Sequence, residues 1–314
     1  SQGRGGEAAR RFAVKSGDEI VVSKAEHHSV LLPFQELAAR TGATLKWFDL
    51  DDEGRILANT ADEVITERTK IVAVTHVGNT TGAITDIAPI VKRAHEVGAV
   101  VVLDACQSVP HLKIDLHALD VDFAAWSAHK MYGPTGVGFL YGKREMLEAL
   151  PPANFGGSMV ELAWMDQEAQ YMAPPARFEA GTQPVAQVVA AGVAAEWLMN
   201  IGMENLEAHE RVIAGELLKM GQIEGVRILG PHANERRIGT VAFEIEGVHP
   251  HDVGQFIDAQ GIAIRVGHHC AQPVHRHFGV YASNRASSGI YNCVEDAQAL
   301  VEALKKVRPF FGVK

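Results

Sequence analysis

The 314-residue sequence predicts an α/β protein: a mostly parallel β-sheet domain with helices on both faces, followed by a smaller C-terminal α+β domain. Runs apolar on both faces alternate with helical patterns through the first half, and a strand buried on both faces belongs to a parallel sheet between helical layers. Asp104, Ser127 and His129 fall just past the carboxyl ends of such runs, where open α/β sheets place their chemistry. From residue 225 onward the chain has a strand and helix set of its own, which marks a second domain.

Residues 20–22 read as a strand, 30–40 as a helix and 44–48 as the next strand. A buried run at 71–75, a helix over 87–97 and the continuous apolar strand 99–103, ending at Asp104, come next, then strands over 121–126 and 136–141. The stretch 151–184 is rich in Pro, Gly and polar residues without sustained periodicity, so it reads as a long functional loop. Helices follow over 185–200 and 203–221, with Gly202 between them. Strands at 226–229, 239–245 and 262–266 surround a helix over 249–260, and a final helix covers 294–308. This divides the chain into an atypical or truncated N-terminal segment (1–16), a large domain (17–224) and a small one (225–314).

Composition narrows the function. Hydrophobic residues at 47% and charged residues at 21% suffice for a sizeable core. With 29 basic against 38 acidic residues, the net charge of −9 repels phosphate backbones and anionic lipid, which argues against nucleic acid and membrane partners. No apolar run approaches the ~20 residues of a membrane span, and the first residues lack a secretory signal's apolar stretch. Cys106, Cys270 and Cys293 are widely spaced and odd in number, which fits neither a disulfide framework nor a zinc ribbon. A cytoplasmic, reducing location fits best.

The most informative stretch is Ser127-Ala128-His129-Lys130-Met131-Tyr132-Gly133-Pro134. A lysine just after a buried strand, followed by a glycine turn, can be desolvated enough to act as an amine nucleophile; a surface lysine leaving a strand has the same local pattern. Upstream, Asp104 ends another strand. A carboxylate and a lysine at two strand ends suit a pyridoxal 5'-phosphate (PLP) site, Asp pairing with the pyridinium nitrogen and Lys bonding the aldehyde carbon, although Asp after a strand is also a common helix N-cap. Consecutive His268, His269 and Cys270 cannot easily converge on one tetrahedral ion, so no metal is expected.

Several separated motifs together resemble the class V aminotransferase-fold cysteine desulfurases, and within them the Suf-type group of iron–sulfur assembly. They are Ala25-Glu26-His27-His28-Ser29, His76-Val77-Gly78-Asn79-Thr80, Asp104-Ala105-Cys106-Gln107, Ser127-Ala128-His129-Lys130, Arg177-Phe178-Glu179-Ala180-Gly181-Thr182, Arg265-Val266-Gly267-His268-His269-Cys270-Ala271-Gln272-Pro273 and Arg285-Ala286-Ser287. The resemblance runs from about Gly17 to the C-terminus and implies a homodimeric fold-type I PLP enzyme. Lys130 matches the PLP lysine, Asp104 the pyridine-nitrogen partner, Gln107 a donor to the cofactor's phenolic oxygen and His27 the imidazole stacked on the ring, with His28 a structural neighbour. Asn79 matches the amide near the cofactor oxygen and substrate carboxylate. Ser127 and His129 match ligands of the cofactor phosphate, and Thr182 one that reaches the phosphate of the other subunit.

Cys270 matches the sulfur acceptor. Its position next to two histidines, five residues after Arg265, favours the reactive thiolate. Arg285 matches the carboxylate arginine of the family, and Arg265 has the same bidentate capacity. Cys106 and Cys293 read as packing residues. The resemblance also implies a glycine- and threonine-rich phosphate-binding turn ahead of the position of Gly17, to which residues 1–16 have no counterpart, and the flanks of Arg285 differ from the usual family sequence.

The expected reaction converts L-cysteine to L-alanine with a persulfide on Cys270, passed to a SufE- or SufU-like acceptor. A selenocysteine lyase, another class V PLP enzyme, or a truncated inactive scaffold are the alternatives the sequence leaves open.

Overall fold

The computed structural model describes residues 7–313, so the first six residues of the expected N-terminal segment lie outside the described residues. The large sheet is built from β1 (Glu19–Ser23), β2 (Thr44–Phe48), β3 (Thr69–Thr75), β4 (Val100–Asp104), β5 (Phe123–Ser127) and β6 (Gly138–Gly142), in the spatial order β2-β1-β3-β4-β5-β6. The first five are parallel and β6 runs antiparallel to β5. Val21, Val72, Val74, Val101, Leu103 and Ala124 are buried on one face and Ile20, Val22 and Ala73 on the other, the two-sided burial that a helix-covered parallel sheet demands. The helices of this half are α1 (Glu7–Arg10), α2 (His28–Thr41), α3 (Ala61–Val64), α4 (Ala88–Glu96), α5 (Ser108–His111) and α6 (Arg144–Ala149). In α4, Ile90, Val91 and Ala94 lie at the helical repeat and face the sheet core, while Lys92 and Glu96 stay outside.

The segment expected as a bare loop contains a small hairpin, β7 (Val160–Leu162) with β8 (Gln170–Tyr171). Its strands are too short and too exposed to leave a periodic signal. Next come α7 (Val185–Ile201) and α8 (Met203–Leu218), which meet at 77° across Gly202. Gly202 has φ +88°, which suits a residue without a Cβ. α7 is apolar nearly all round, yet only Ala191, Ala194 and Leu198 are buried.

The second sheet is antiparallel, in the order β11-β12-β10-β9, from β9 (Val226–Leu229), β10 (Thr240–Ile245), β11 (Arg265–Gly267) and β12 (Ser283–Ser287). Its helices are α9 (Pro250–Asp258), α10 (Gln272–His277), α11 (Val294–Leu304) and the short α12 (Val307–Phe310). Ile213 and Leu217 of α8 join Val241, Phe243, Leu300 and Leu304 in one core. Three expectations shift here. The strand expected at 262–266 forms only as β11, the final helix breaks after Leu304, and β12 was not anticipated because Ser-Asn-Arg-Ala-Ser is polar.

One seam between the halves lies at Gly82. Ile238 N–H donates to the Gly82 carbonyl at 2.9 Å, and a Cβ on Gly82 would sit 2.4 Å from the Thr240 carbonyl oxygen, closer than any side chain can approach. The buried Arg237 guanidinium donates to the carbonyls of Thr240 and Pro231, and burial pushes its pKa down to about 10.

Candidate active site

The carboxyl ends of β1, β3, β4 and β5 are level and adjacent, because Thr75 pairs with Asp104 and Asp104 with Ala125 in register. The residues that follow these strands converge on one cleft of about 280 Å³, lined by His27, Ser29, Thr75, Val77, Asn79, Asp104, Cys106, Gln107, Ser127, His129 and Lys130. Of the eleven site residues expected from the sequence, His27, Asn79, Asp104, Gln107, Ser127, His129 and Lys130 are therefore brought together. The end of a parallel sheet beside a change in strand order, here β1 beside β3, is where such folds bind ligands.

Each group is held by its local structure. Lys130 sits in the 3-10 turn Ala128–Met131 directly after β5, and Gly133 N–H closes that turn on the Ala128 carbonyl at 2.9 Å. A Cβ on Gly133 would be 2.9 Å from that same oxygen, so the tight turn requires glycine. Asp104 is the last residue of β4, and its Oδ1 accepts from the Cys106 N–H at 2.9 Å. Ser127 likewise ends β5 rather than following it.

His27 is the N-cap of α2. Its Nδ1 accepts from the Ser29 N–H at 3.1 Å and lies 2.8 Å from the Ser29 hydroxyl, which leaves Nε2 as the protonated nitrogen of a neutral ring. Burial, reinforced by Lys130, lowers the His27 pKa and keeps the imidazole uncharged.

Cys106 also lines the cleft, but burial, aided by Asp104, raises its pKa to about 11, so it is a thiol at neutral pH. Beneath the cleft the fully buried Glu26 accepts from the Thr75 N–H at 3.0 Å and from the Ser23 hydroxyl. Desolvation raises its pKa to about 8, with the Asp104 carboxylate adding to the rise. A carboxyl group held neutral at pH 7 thus lies directly below the cleft. In the sequence, Glu26 carries no signal beyond its place in the Ala25–Ser29 motif.

Cys270 is exposed, in the turn between β11 and α10. Its carbonyl accepts from the His28 N–H at 2.8 Å, and the preceding carbonyl, of His269, accepts from Asn79 Nδ2 at 2.6 Å. The turn is thereby tied to the neighbour of His27 and to Asn79 of the cleft. Arg285 on β12 donates to the Asn79 carbonyl at 2.8 Å, and burial, followed by repulsion from Arg265, lowers its pKa. Arg265 itself is exposed on β11. Thr182 is exposed and stands outside the cleft lining. Cys293 is exposed and serves as the N-cap of α11, with Asp296 bonding back to its N–H at 3.0 Å, so it is a capping residue rather than a packed one.

Comparison with known proteins identifies the family. Residues 7–300 match the family described as Aminotransferase class-V. A Mycobacterium leprae protein named "Probable cysteine desulfurase 2" is 49% identical over 297 residues, 94% of this chain and 70% of that protein. The cysteine desulfurase of Haloferax volcanii is 41% identical over 297 residues, covering 94% of this chain and 69% of its own length. Among solved structures, the cysteine desulfurase CsdA of Escherichia coli superposes with a TM-score of 0.91 at 36% identity, over 97% of this chain and 75% of that one. The mixed, mostly parallel sheet flanked by helices is the fold-type I arrangement that the sequence predicted. The chain belongs to the class V aminotransferase family, among the cysteine desulfurases.

Proposed function

We propose that the chain is a PLP-dependent L-cysteine desulfurase that releases L-alanine and retains the sulfur as a persulfide on Cys270. The observation that carries this reading is the convergence of Lys130, Asp104 and a neutral His27 in one cleft to which the Cys270 turn is hydrogen-bonded through Asn79 and His28. The donor set fits PLP: an amine for the aldehyde, a carboxylate for the pyridine nitrogen, a flat uncharged imidazole for the ring face, and Ser127 and His129 for the phosphate. When bound, PLP supplies the sink for electrons released at the substrate's α-carbon.

The chain's own residues do the rest. Lys130 would hold the cofactor aldehyde, and its amine would be the base that takes the substrate's α-proton and later returns it to Cα. Asp104 would be the residue that favours a proton on the pyridine nitrogen. Arg285, with Arg265 opposite, takes the substrate carboxylate. The Cys270 thiolate attacks the substrate sulfur: an S–S bond forms, the Cβ–S bond breaks, and its electron pair is finally protonated at Cβ to give the methyl group of alanine. Cysteine and enzyme thiol thus become alanine and enzyme persulfide with no outside oxidant.

The finer reading places the enzyme in a Suf-type system in the cytoplasm, as a homodimer in which Thr182 serves the partner's phosphate site. It would hand its sulfur to a SufE- or SufU-like acceptor for iron–sulfur assembly. The motif resemblance, the three free thiols and the exposure of both Thr182 and Cys270 support it. The test is alanine and sulfide release from L-cysteine with and without PLP, together with mass spectrometry of the Cys270 peptide. One reductant-removable sulfur there is expected; added sulfur on Cys106 or Cys293 instead would reject the assignment.

A further inference from the structure

His269 and Cys270 are consecutive non-glycine residues in the left-handed region, with φ of 51° and 55°. L-residues avoid that region, and two in a row persist only where surrounding contacts impose them. The contacts are visible. His275 Nδ1 lies 3.1 Å from the Ala271 carbonyl, which can only accept, so Nδ1 carries the proton and Nε2 is bare. His275 Nε2 is 3.0 Å from the Ser283 hydroxyl and therefore accepts its proton. The same hydroxyl lies 3.0 Å from His269 Nε2, which must then donate to it. His269 Nδ1, the unprotonated nitrogen of this tautomer, is buried without a hydrogen-bond partner among the described residues.

The result is a chain of donors running one way, from His269 through Ser283 and His275 to the Ala271 carbonyl, which belongs to the residue after Cys270. It ties both sides of the Cys270 turn to β12. His269 and His275 are both buried, and burial first of all lowers the pKa of each imidazole, that of His269 to about 3, which favours the uncharged chain. On the other side, His28 holds the Cys270 carbonyl through its N–H and accepts the Gln272 N–H on Nε2 at 3.2 Å.

We infer that His269, Ser283 and His275 are positioning residues for sulfur transfer: their hydrogen-bond chain imposes the left-handed His269–Cys270 turn and so aims the Cys270 thiol. This rests on the reading of Cys270 as sulfur acceptor. Ser283 is wholly buried and is the link that both imidazoles need. Removing its hydroxyl strands one donor and one acceptor and frees the turn toward ordinary backbone angles.

The experiment compares Ser283→Ala, His269→Leu and His269→Gln in the PLP-loaded full chain. Amide exchange and iodoacetamide alkylation are followed on the Cys270 peptide, with Cys293 as internal reference, and steady-state rates are measured with L-cysteine. Ser283→Ala and His269→Leu are expected to speed exchange around Cys270 by about tenfold or more. They should lower kcat by about tenfold to a hundredfold with KM nearly unchanged, because the thiol is misplaced while substrate binding is intact. His269→Gln, whose amide N–H can reach the Ser283 oxygen, should restore both.

Wild-type exchange and kcat in Ser283→Ala, or equal losses in His269→Leu and His269→Gln, would overturn the inference. If Ser283→Ala does not fold, the two His269 variants carry the comparison. Absence of persulfide on Cys270 in the wild type would instead reject the acceptor assignment. The exchange data would still show whether the chain holds the turn.

Discussion

Arg265 and Arg285 stand directly opposite one another on the antiparallel strands β11 and β12. Like charges at opposed positions of a sheet repel, and each guanidinium contributes to lowering the pKa of its surroundings; Arg265 is second only to burial in lowering that of Arg285. An anion between them would remove the repulsion, the role in carboxylate binding proposed for the pair above.

Arg285→Lys keeps the charge but loses the planar fork and shortens the reach to the Asn79 carbonyl. A fall in kcat/KM of about tenfold to a hundredfold is expected, carried mainly by KM. Arg265→Ala, at an exposed position, should cost less. Steady-state kinetics with L-cysteine separates the two.

Lys130→Ala should lose alanine formation by at least about a thousandfold, since both the anchor for the cofactor aldehyde and the proton acceptor disappear. Borohydride reduction of the PLP-loaded wild type should fix the cofactor to the Lys130 peptide. Attachment to another lysine would refute the assignment.

Asp104→Ala should fold, because among the described residues the Asp104 side chain bonds only to its near neighbour Cys106. Turnover should drop steeply, as an unprotonated pyridine is a poor electron sink. Thermal melting beside alanine release checks both halves of this expectation.

Cys270→Ser should bind L-cysteine, seen as a change in cofactor absorbance, yet release no alanine, while L-selenocysteine is still partly processed because selenium leaves more easily. Cys106 cannot substitute, being held as a thiol. Full cysteine turnover by this variant would favour a lyase.

Glu26→Gln gives a test in the pH dependence of stability. Folded Glu26 holds its proton to about pH 8, whereas the unfolded side chain releases it near 4.5. Between those values the folded state binds more protons, so stability contributed by Glu26 is full below pH 4.5 and lost as pH rises through 8. Glutamine mimics the neutral acid without titrating. The variant should therefore gain on the wild type from pH 5 to 8, by at most about 1.4 kcal/mol per pH unit. His76 and His269, depressed to about 4 and about 3 by burial, lose stability in the opposite direction as pH falls below 6.5, equally in both proteins. Denaturant melts across this range provide the check.

Much of this was legible before any coordinates, and the reasons are local. The run Val100-Val101-Val102-Leu103-Asp104 names a buried strand and its reactive end at once, and Lys130 announces itself by following another. Strand β12 was invisible because Ser283, Asn284 and Ser287 look like loop residues; their neighbours, not their polarity, make them a strand. The hairpin after Met159 was missed for its brevity. No spacing rule could place His269 beside Ser283, fourteen positions apart, or reveal that Glu26 lies under Asp104. Such relationships arise only when separate elements pack.

Gly82 carries a genetic consequence. Any single-base change of a glycine codon that alters the amino acid installs at least a Cβ, and at this position even a methyl group would collide with the Thr240 carbonyl oxygen. The smallest missense step is therefore already too large, and the seam that joins the two halves of the enzyme is a site where variation has no gentle first move.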